Sequence, residues 1–475
     1  MAFSEYDQHD AVGLAECVAQ GEVSPEELLD EALTRMKRLN PTLNAVVIPM
    51  EEEARASLAA GLPKGSLSGV PFLLKDLALN YAGVRTTHGC RLFAESIPER
   101  DSELTRRYRA AGLVVFGKSA SPEFGLTTTT ESLLFGQTRN PWNLEHVAGG
   151  SSGGAAAAVA AGMLPLAHAS DGGGSIRIPA ACCGLFGLKP SRGRMPFGPD
   201  VGEGWSGMST MHAVSRSVRD SATLLDASDG ADIGAPYPAP PKARPYREEV
   251  DREPAPLRIA LLEETFNGLP TDPDCLDAVR DAAKLCDSLG HRVEPTKFSI
   301  DAQALATSSQ TIMGGNVASL LDDRVAALGR ELREDDMEPF TWTSLQAARE
   351  RSAADYARAI RGIHAVGRQV EDFLQSFDMI LSPTMGAPPE KLGVLALSNP
   401  DLPTLVTRLM TSVGYTQIFN ASGHPAMSVP LCWNAQGLPI GIQFAARLGE
   451  EGSLFRLAGQ LEKARPWASR RPPTA

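Results

Sequence analysis

Two serines set among glycines, Ser151 and Ser175, lie 24 residues apart on either side of an alanine-rich segment. Residues 155–161 have high helix propensity, and Gly162 is a typical residue for the left-handed position that follows a helix. The apolar residues 163–169 then predict a short buried strand. This part of the chain is therefore expected to fold as a helix and a strand, with one serine before the helix and the other after the strand.

Glycines beside a serine remove side-chain bulk and expose backbone N–H groups. An acyl-transfer site needs both an approachable hydroxyl and donors for a developing oxyanion. Each cluster taken alone is better explained by a turn at a helix N-terminus or by a phosphate-binding loop than by a catalytic serine. Neither serine cluster contains a GxxxxGK[ST] motif, which argues against a P-loop at either one, and Ser175 does not lie in GxSxG, which argues against a nucleophile elbow there.

A base for such a serine is suggested by Lys75, which follows the apolar run 72–74. None of the eight histidines lies in a motif typical of a catalytic triad. A lysine at the end of a buried strand is partly desolvated, which favours its neutral form and lets it act as a base. The segment is also explained by a lysine that extends to solvent and pairs with Asp76. The segment by itself favours this second interpretation.

The three segments taken together resemble the amidase signature family. They are GVPFLLKD around Lys75, GGSSGG around Ser151 and DGGGSIRIPA around Ser175, and the spacing between the serines matches that family. The resemblance extends along most of the chain, through GKS (117–119), SPEFG (121–125), TRNPWN (138–143), GLKP (187–190), SPT (382–384) and GLPIGIQ (437–443).

The resemblance implies a serine–cis-serine–lysine triad. Ser175 would be the nucleophile that forms the acyl-enzyme, and Lys75 would be a general base that is neutral in the resting enzyme. Ser151, entered by a cis peptide bond, would relay protons between them. The implied oxyanion hole consists of backbone N–H groups, those of Gly172, Gly173, Gly174 and Ser175. The implied supporting residues are Asp171, Arg177 and Ser152, and the residues implied beside the acyl group are Gly125, Leu126 and Thr127.

One position departs from the commonest family pattern, in which a β-branched residue follows the aspartate, as in DTGGS. Here that residue is Gly172. The backbone N–H is kept, so the implied oxyanion hole is unaffected. The glycine-rich form is more similar to cyclic nylon-oligomer hydrolases and broad amidases of the family than to the subunit of tRNA amidotransferases.

Short apolar strands alternate with helices over 66–230, which predicts an α/β fold. The resemblance implies the amidase signature fold, a central mixed β-sheet covered by helices on both faces. It also implies a single domain over 1–475, with a helical region (1–62), a catalytic core (63–230), a proline-rich linker (231–256) and a part that completes the sheet and pocket (257–475). By composition alone, the linker could divide two domains.

Local signals predict individual elements. Ser24 followed by Pro25 predicts a helix start, and Asn40-Pro41 predicts its end. Further helices are expected at 101–111, 153–161, 274–289 and 451–464, with a mostly helical region over 302–376. Strands are expected at 70–74, 113–117, 163–169, 257–262, 291–294, 379–381, 426–429 and 440–444.

The net charge of −12 and the pI near 5.3 argue against nucleic acid as a partner. The seven cysteines show no metal-ligand spacing and suggest free thiols in a reducing compartment, and no metal or organic cofactor is expected. The chain shows no signal sequence and no apolar run of 18 residues, so we expect a cytoplasmic protein without a membrane partner. A homodimer is left open.

The leading hypothesis is a hydrolase of C–N amide bonds whose partner is a small-molecule amide or carbamate. The alternatives are a carbamate (urethane) or ester hydrolase on the same triad, the glutaminase subunit of an aminoacyl-tRNA amidotransferase, and a binding module without activity. The last alternative predicts the loss of a triad residue, and all three are present. Segments 312–316, 340–342 and 416–420 are candidates for the pocket wall. Few basic residues occur in these segments, and Arg351 lies just outside them in the sequence, which mildly disfavours a highly anionic substrate.

Overall fold

The structure is a computed structural model that describes residue 3 and residues 5–474. Its α-helices in that part of the chain are α1 (Ala11–Gln20), α2 (Pro25–Leu43), α3 (Glu51–Ala59), α4 (Glu103–Ala110), α5 (Gly153–Ala160), α6 (Arg177–Cys183), α7 (Val218–Ser228), α8 (Tyr246–Val250), α9 (Pro273–Ser288), α10 (Ala302–Leu328), α11 (Pro339–Arg349), α12 (Ala353–Phe373), α13 (Leu402–Ser412), α14 (Gln417–Ser422) and α15 (Glu451–Ala464).

Its strands are β1 (Val46–Pro49), β2 (Pro71–Lys75), β3 (Val114–Ser119), β4 (Glu131–Ser132), β5 (Gly136–Gln137), β6 (Arg139–Asn140), β7 (Asn143–Val147), β8 (Leu166–Asp171), β9 (Phe186–Lys189), β10 (Thr210–Ser215), β11 (Arg258–Leu261), β12 (Arg292–Pro295), β13 (Met379–Pro383), β14 (Ala426–Trp433) and β15 (Pro439–Ala446). None of the helices in the described ranges is long and apolar enough to cross a bilayer.

The largest sheet has eight strands in the order β12-β11-β13-β15-β14-β9-β10-β8. The first three strands are parallel and each later pair is antiparallel, so the sheet is mixed, as predicted. Strands β8 to β10 precede the linker 231–256 and β11 to β15 follow it, so both parts of the chain build one sheet. Strand β2, which carries Lys75, lies in a separate sheet of order β1-β3-β2 and contacts β8.

The central strand β15 shows why helices cover both faces of this sheet. Successive side chains of a strand point to opposite faces. Ile442 and Phe444 lie in a buried cluster with Leu457 of α15. Ala445, which points the other way, lies in a different cluster with Phe419 of α14. Both faces are therefore buried under helices, which confirms the predicted fold class.

The predicted strands and helices are present, with ends that differ by a few residues. The strand predicted at 163–169 begins only at Leu166, because the Met163 N–H donates to Ala158 O and this segment closes the end of α5. The predicted end of α2 at Pro41 is wrong, since the helix continues to Leu43. Pro41 removes only one hydrogen bond there, close to the natural end of the helix.

Candidate active site

Lys75 is the last residue of β2, in which all five residues are buried. Its side chain is fully buried, and its Nζ is hydrogen-bonded to three serine hydroxyls. The oxygens lie 2.7 Å away in Ser151, 3.0 Å away in Ser152 and 3.0 Å away in Ser170. The alternative in which Lys75 reaches solvent or pairs with Asp76 is therefore wrong.

The environment of Lys75 favours its neutral form. Burial lowers the pKa of the Lys75 ammonium to about 7, and the Asp171 carboxylate opposes that shift. The backbone N–H of Lys75 donates to Nδ1 of the buried His168 over 3.1 Å. Burial also keeps the pKa of His168 well below its usual value. A neutral lysine beside a serine hydroxyl can accept a proton at neutral pH.

Ser151 lies in the turn between β7 and α5, and its peptide bond with Gly150 is cis, as the resemblance implied. Backbone packs closely around this turn, because a Cβ on Gly150 would lie 2.3 Å from Thr129 O. Gly125 approaches from the other side, where a Cβ would lie 2.9 Å from Ser151 Oγ. The Ser151 hydroxyl thus sits in a space that admits no additional side chain at either glycine.

Ser152 and Ser170 complete the surroundings of Lys75. The Ser152 hydroxyl donates to Ser170 O over 3.2 Å, and the Ser170 N–H donates back to Ser152 Oγ over 3.3 Å. Ser152 therefore joins the start of α5 to β8, which agrees with a supporting role. Ser170 was not among the predicted site residues, although it lies directly before Asp171, the first residue of the motif DGGGSIRIPA, and this position was a usable signal.

Asp171 and Arg177 form a buried pair behind the loop that carries Ser175. Arg177 Nε donates to Asp171 Oδ2 over 3.0 Å and Nη2 donates to Oδ1 over 2.9 Å, with both side chains fully buried. Burial acts to raise the pKa of the Asp171 carboxyl, but the charge and hydrogen bonds of Arg177 hold it well below its usual value. Further bonds from Arg177 reach Thr416 O, Gln443 Oε1 and Asn420 Oδ1.

The loop 172–175 has both engaged and free backbone donors. The Gly174 N–H donates to Asp171 Oδ1 over 2.8 Å, so it already has an acceptor. Within the part of the chain that the structure describes, the N–H groups of Gly172, Gly173 and Ser175 have no protein acceptor. Gly174 has φ of +136°, a conformation that requires glycine. The implied set of oxyanion donors therefore narrows from four groups to three.

Ser175 and Gly173 are half-buried and lie in the wall of a cavity of about 380 Å³. The residues implied beside the acyl group all line it, and they are Gly125, Leu126 and Thr127. The candidate pocket segments contribute in part, through Met313, Gly314, Phe340, Thr341 and Gln417. A second cavity of about 430 Å³, between residues 57–63 and α4, contains none of the predicted site residues.

Other parts of the cavity wall were not predicted. Helix α13 contributes apolar side chains such as Leu409, and Trp205 comes from a turn before β10. Arg351 lies just outside the candidate segments in the sequence and was not itself predicted to line the pocket. The chain turns after α11, so that the exposed Arg351 forms part of the wall. Because Arg351 supplies a positive charge at the wall, the scarcity of basic residues in the candidate segments does not disfavour an anionic substrate. Thr416 and Asn420 were predicted to line the pocket, but they contact the Ser175 loop from behind.

The described residues contain no group of three or more His, Cys, Asp or Glu side chains that could hold a metal ion.

Removing one partner of the buried pair should destabilise the protein strongly. We expect Arg177→Met to lower the free energy of unfolding by ~3–5 kcal/mol, because it leaves the buried Asp171 carboxylate without its counter-charge. Arg55→Met is the matched control, since Arg55 is 47% exposed and pairs with Asp30 on the surface. Its expected loss is below ~1 kcal/mol. Equal losses for the two variants in denaturant titrations would contradict the structural role of the pair.

The amidase family model matches residues 27–455 of this chain. The chain is 37% identical to the 6-aminohexanoate-cyclic-dimer hydrolase of Pseudomonas sp. strain NK87, over 98% of this chain and 96% of that protein. A solved structure of 6-aminohexanoate cyclic dimer hydrolase matches with a TM-score of 0.92 and 36% identity, over 98% of this chain and 99% of that one. A bacterial aryl acylamidase of the amidase signature enzymes matches with a TM-score of 0.88 and 27% identity, over 97% and 99%.

Proposed function

The chain belongs to the amidase signature family of hydrolases that act on non-peptide C–N bonds, and we propose that it cleaves amides through a Ser175–Ser151–Lys75 triad and an acyl-enzyme. The observation that carries this proposal is the 2.7 Å contact between Lys75 Nζ and Ser151 Oγ in a buried setting. A lysine with a pKa near 7 supplies a base, and Ser175 supplies a hydroxyl on the cavity wall.

In the first step, Ser175 Oγ attacks the amide carbonyl carbon. The Ser175 proton passes to Ser151 Oγ, whose own proton passes to Lys75 Nζ. The negative charge that forms on the carbonyl oxygen is stabilised by the free N–H groups of the 172–175 loop. The Gly174 N–H acts differently, because its bond to Asp171 fixes the shape of the loop.

The tetrahedral intermediate collapses when the C–N bond breaks. Lys75 returns its proton through Ser151 to the leaving nitrogen, so that a neutral amine departs. A water molecule then attacks the acyl-enzyme and gives its proton to the same Ser151–Lys75 pair. Release of the carboxylic acid restores the Ser175 hydroxyl and the neutral lysine.

The cavity wall supports a mainly apolar substrate. Leu126, Val317 and Leu409 are typical of the wall, and Arg351 carries the sole formal charge among the described lining residues. A volume of about 380 Å³ suits a small molecule. We propose aliphatic amides as the substrate class, with oligoamides related to the 6-aminohexanoate cyclic dimer as the first compounds to test. Carbamates and esters share the acyl chemistry and belong in the same panel.

Acyl transfer to hydroxylamine tests this mechanism. With a simple aliphatic amide, the purified enzyme should form the hydroxamate in competition with the free acid, because hydroxylamine is a better nucleophile than water toward an acyl-enzyme. A fluorophosphonate should label Ser175, and the adduct is located by mass spectrometry of peptides. A free acid as the only product, together with an adduct on another residue, would overturn the proposal. Dialysis against a strong chelator should leave the rate unchanged.

A further inference from the structure

We propose that Trp205 and Gly172 form a complementary pair that selects the acyl group of the substrate. In this proposal the Trp205 indole fills the space that a side chain at position 172 would need, and it forms the wall beside Ser175. The pair then admits slim, unbranched acyl chains and disfavours acyl groups that are branched or aromatic next to the carbonyl. The inference rests on the proposed function, since it assigns the substrate class of the same site.

The first observation is the contact itself. A Cβ on Gly172 would lie 2.5 Å from Trp205 Cζ3 and 2.7 Å from Cε3. Both distances are far below a normal carbon–carbon contact of about 3.5–4.0 Å. A Cβ on the neighbouring Gly173 would meet nothing within 4 Å. The absence of a side chain is therefore required at position 172 by the indole, and not by a general lack of space along the loop.

The second observation is that the turn that carries the indole is held in place. Trp205 and Ser206 both have positive φ, of +48° and +51°, in a turn closed by the bridge between Gly204 and Ser209. The Ser206 hydroxyl lies 2.6 Å from the hydroxyl of Tyr356 on α12. Non-glycine residues keep this conformation only where surrounding contacts enforce it. The conformation of this turn is therefore fixed by its surroundings.

The third observation links this turn to the catalytic loop. Asn420 Nδ2 lies within hydrogen-bond distance of Met208 O, at 3.1 Å, and of Asp171 O, at 2.9 Å. One amide group thus ties the turn that carries Trp205 to the residue that begins the 171–175 loop. Trp205 and Ser175 also line the same cavity. A flat, rigid ring fixed beside the nucleophile determines the width available to the first atoms of an acyl group.

The test uses p-nitroanilides, so that the leaving group stays constant while the acyl group changes from hexanoyl to 2-methylpropanoyl and benzoyl. We expect Trp205→Ala to raise the ratio of kcat/KM for the bulky acyl groups over hexanoyl by at least tenfold. Gly172→Ala should lower kcat/KM for hexanoyl by at least tenfold, because its methyl group displaces the indole. In the double variant the Gly172→Ala substitution should cost less than threefold, since the indole is gone.

The matched control is Gly173→Ala, whose effect should be the same whether or not Trp205 is present. The proposal is overturned by an unchanged acyl preference in Trp205→Ala, or by independent effects of Gly172→Ala and Trp205→Ala. Thermal unfolding of each variant shows that the fold is kept. Labelling of Ser175 by a fluorophosphonate in the unmodified enzyme separates the two proposals. If Ser175 is not labelled, the proposed triad is wrong. If Ser175 is labelled but Trp205→Ala keeps the acyl preference of the unmodified enzyme, only the proposed Trp205–Gly172 pair is wrong.

Discussion

Ser175→Ala is expected to reduce kcat for amide hydrolysis by about 10⁴-fold or more while leaving the fold intact. The hydroxyl is half-buried on the cavity wall, so its loss removes no buried packing. It does remove the atom that forms the acyl-enzyme, which no other group on the 172–175 loop can replace. Single-turnover and steady-state rates, with an unfolding curve for each protein, measure the effect.

The matched control for this variant is Ser344→Ala, which removes a half-buried hydroxyl from another part of the same cavity wall. It should alter kcat by less than tenfold. Near-normal activity in Ser175→Ala, or a loss of the same size in Ser344→Ala, would show that the nucleophile lies elsewhere.

Lys75→Arg is expected to be as damaging as Lys75→Met, with losses of about 10³-fold or more in kcat/KM. Arginine keeps the positive charge but does not give up its proton near neutral pH, so it cannot serve as the base. The comparison separates a base from a group that supplies only charge. An arginine variant with substantial activity would show that Lys75 contributes charge or packing alone.

The pH profile checks the same assignment. If neutral Lys75 is the base, as proposed, kcat/KM should rise about tenfold per pH unit below the pKa of about 7 and level off above it. The titratable groups that face Lys75 are Asp171 and His168, which stay ionised and neutral respectively across that range. Lys189 is a second buried lysine whose pKa burial lowers to about 7. Lys189→Met should keep the rise of kcat/KM with pH. If this variant lost the rise, the assignment of the titrating group to Lys75 would be contradicted.

The residues of the proposed triad could be located in the sequence because each lies in a short segment with its own constraint. Lys75 ends an apolar strand, and Ser151 lies in a glycine-rich turn before a helix of small residues. An apolar strand before the lysine and a glycine-rich turn at the serine each leave a short pattern that can be recognised in the sequence. The pairing of Asp171 with Arg177 was likewise predictable, since the two residues are only six positions apart.

The shape of the pocket could not be predicted in the same way. Trp205 reaches Gly172 through a turn with positive φ values at two non-glycine residues, which no local pattern indicates. Helix α13 and Arg351 reach the cavity through long-range packing of helices. Asn420 was expected to line the pocket, yet its side-chain amide is hydrogen-bonded to backbone oxygens of two other segments, at Asp171 and Met208. In each case the deciding contact joins residues far apart in the sequence.

The contacts of the buried Arg177 also have a consequence for folding during synthesis on the ribosome. Its guanidinium bonds to Thr416, Asn420 and Gln443, residues that follow it by 239, 243 and 266 positions. A nascent chain carries Lys75, Ser151 and Ser175 long before the ribosome has made those partners. Until these residues are made, the loop that carries the proposed nucleophile keeps its local bonds to Asp171 but lacks the contacts of Arg177 with the later part of the chain. We therefore expect a chain that ends before residue 416 to have little activity, because the contacts that support the proposed nucleophile's loop from the later part of the chain are missing.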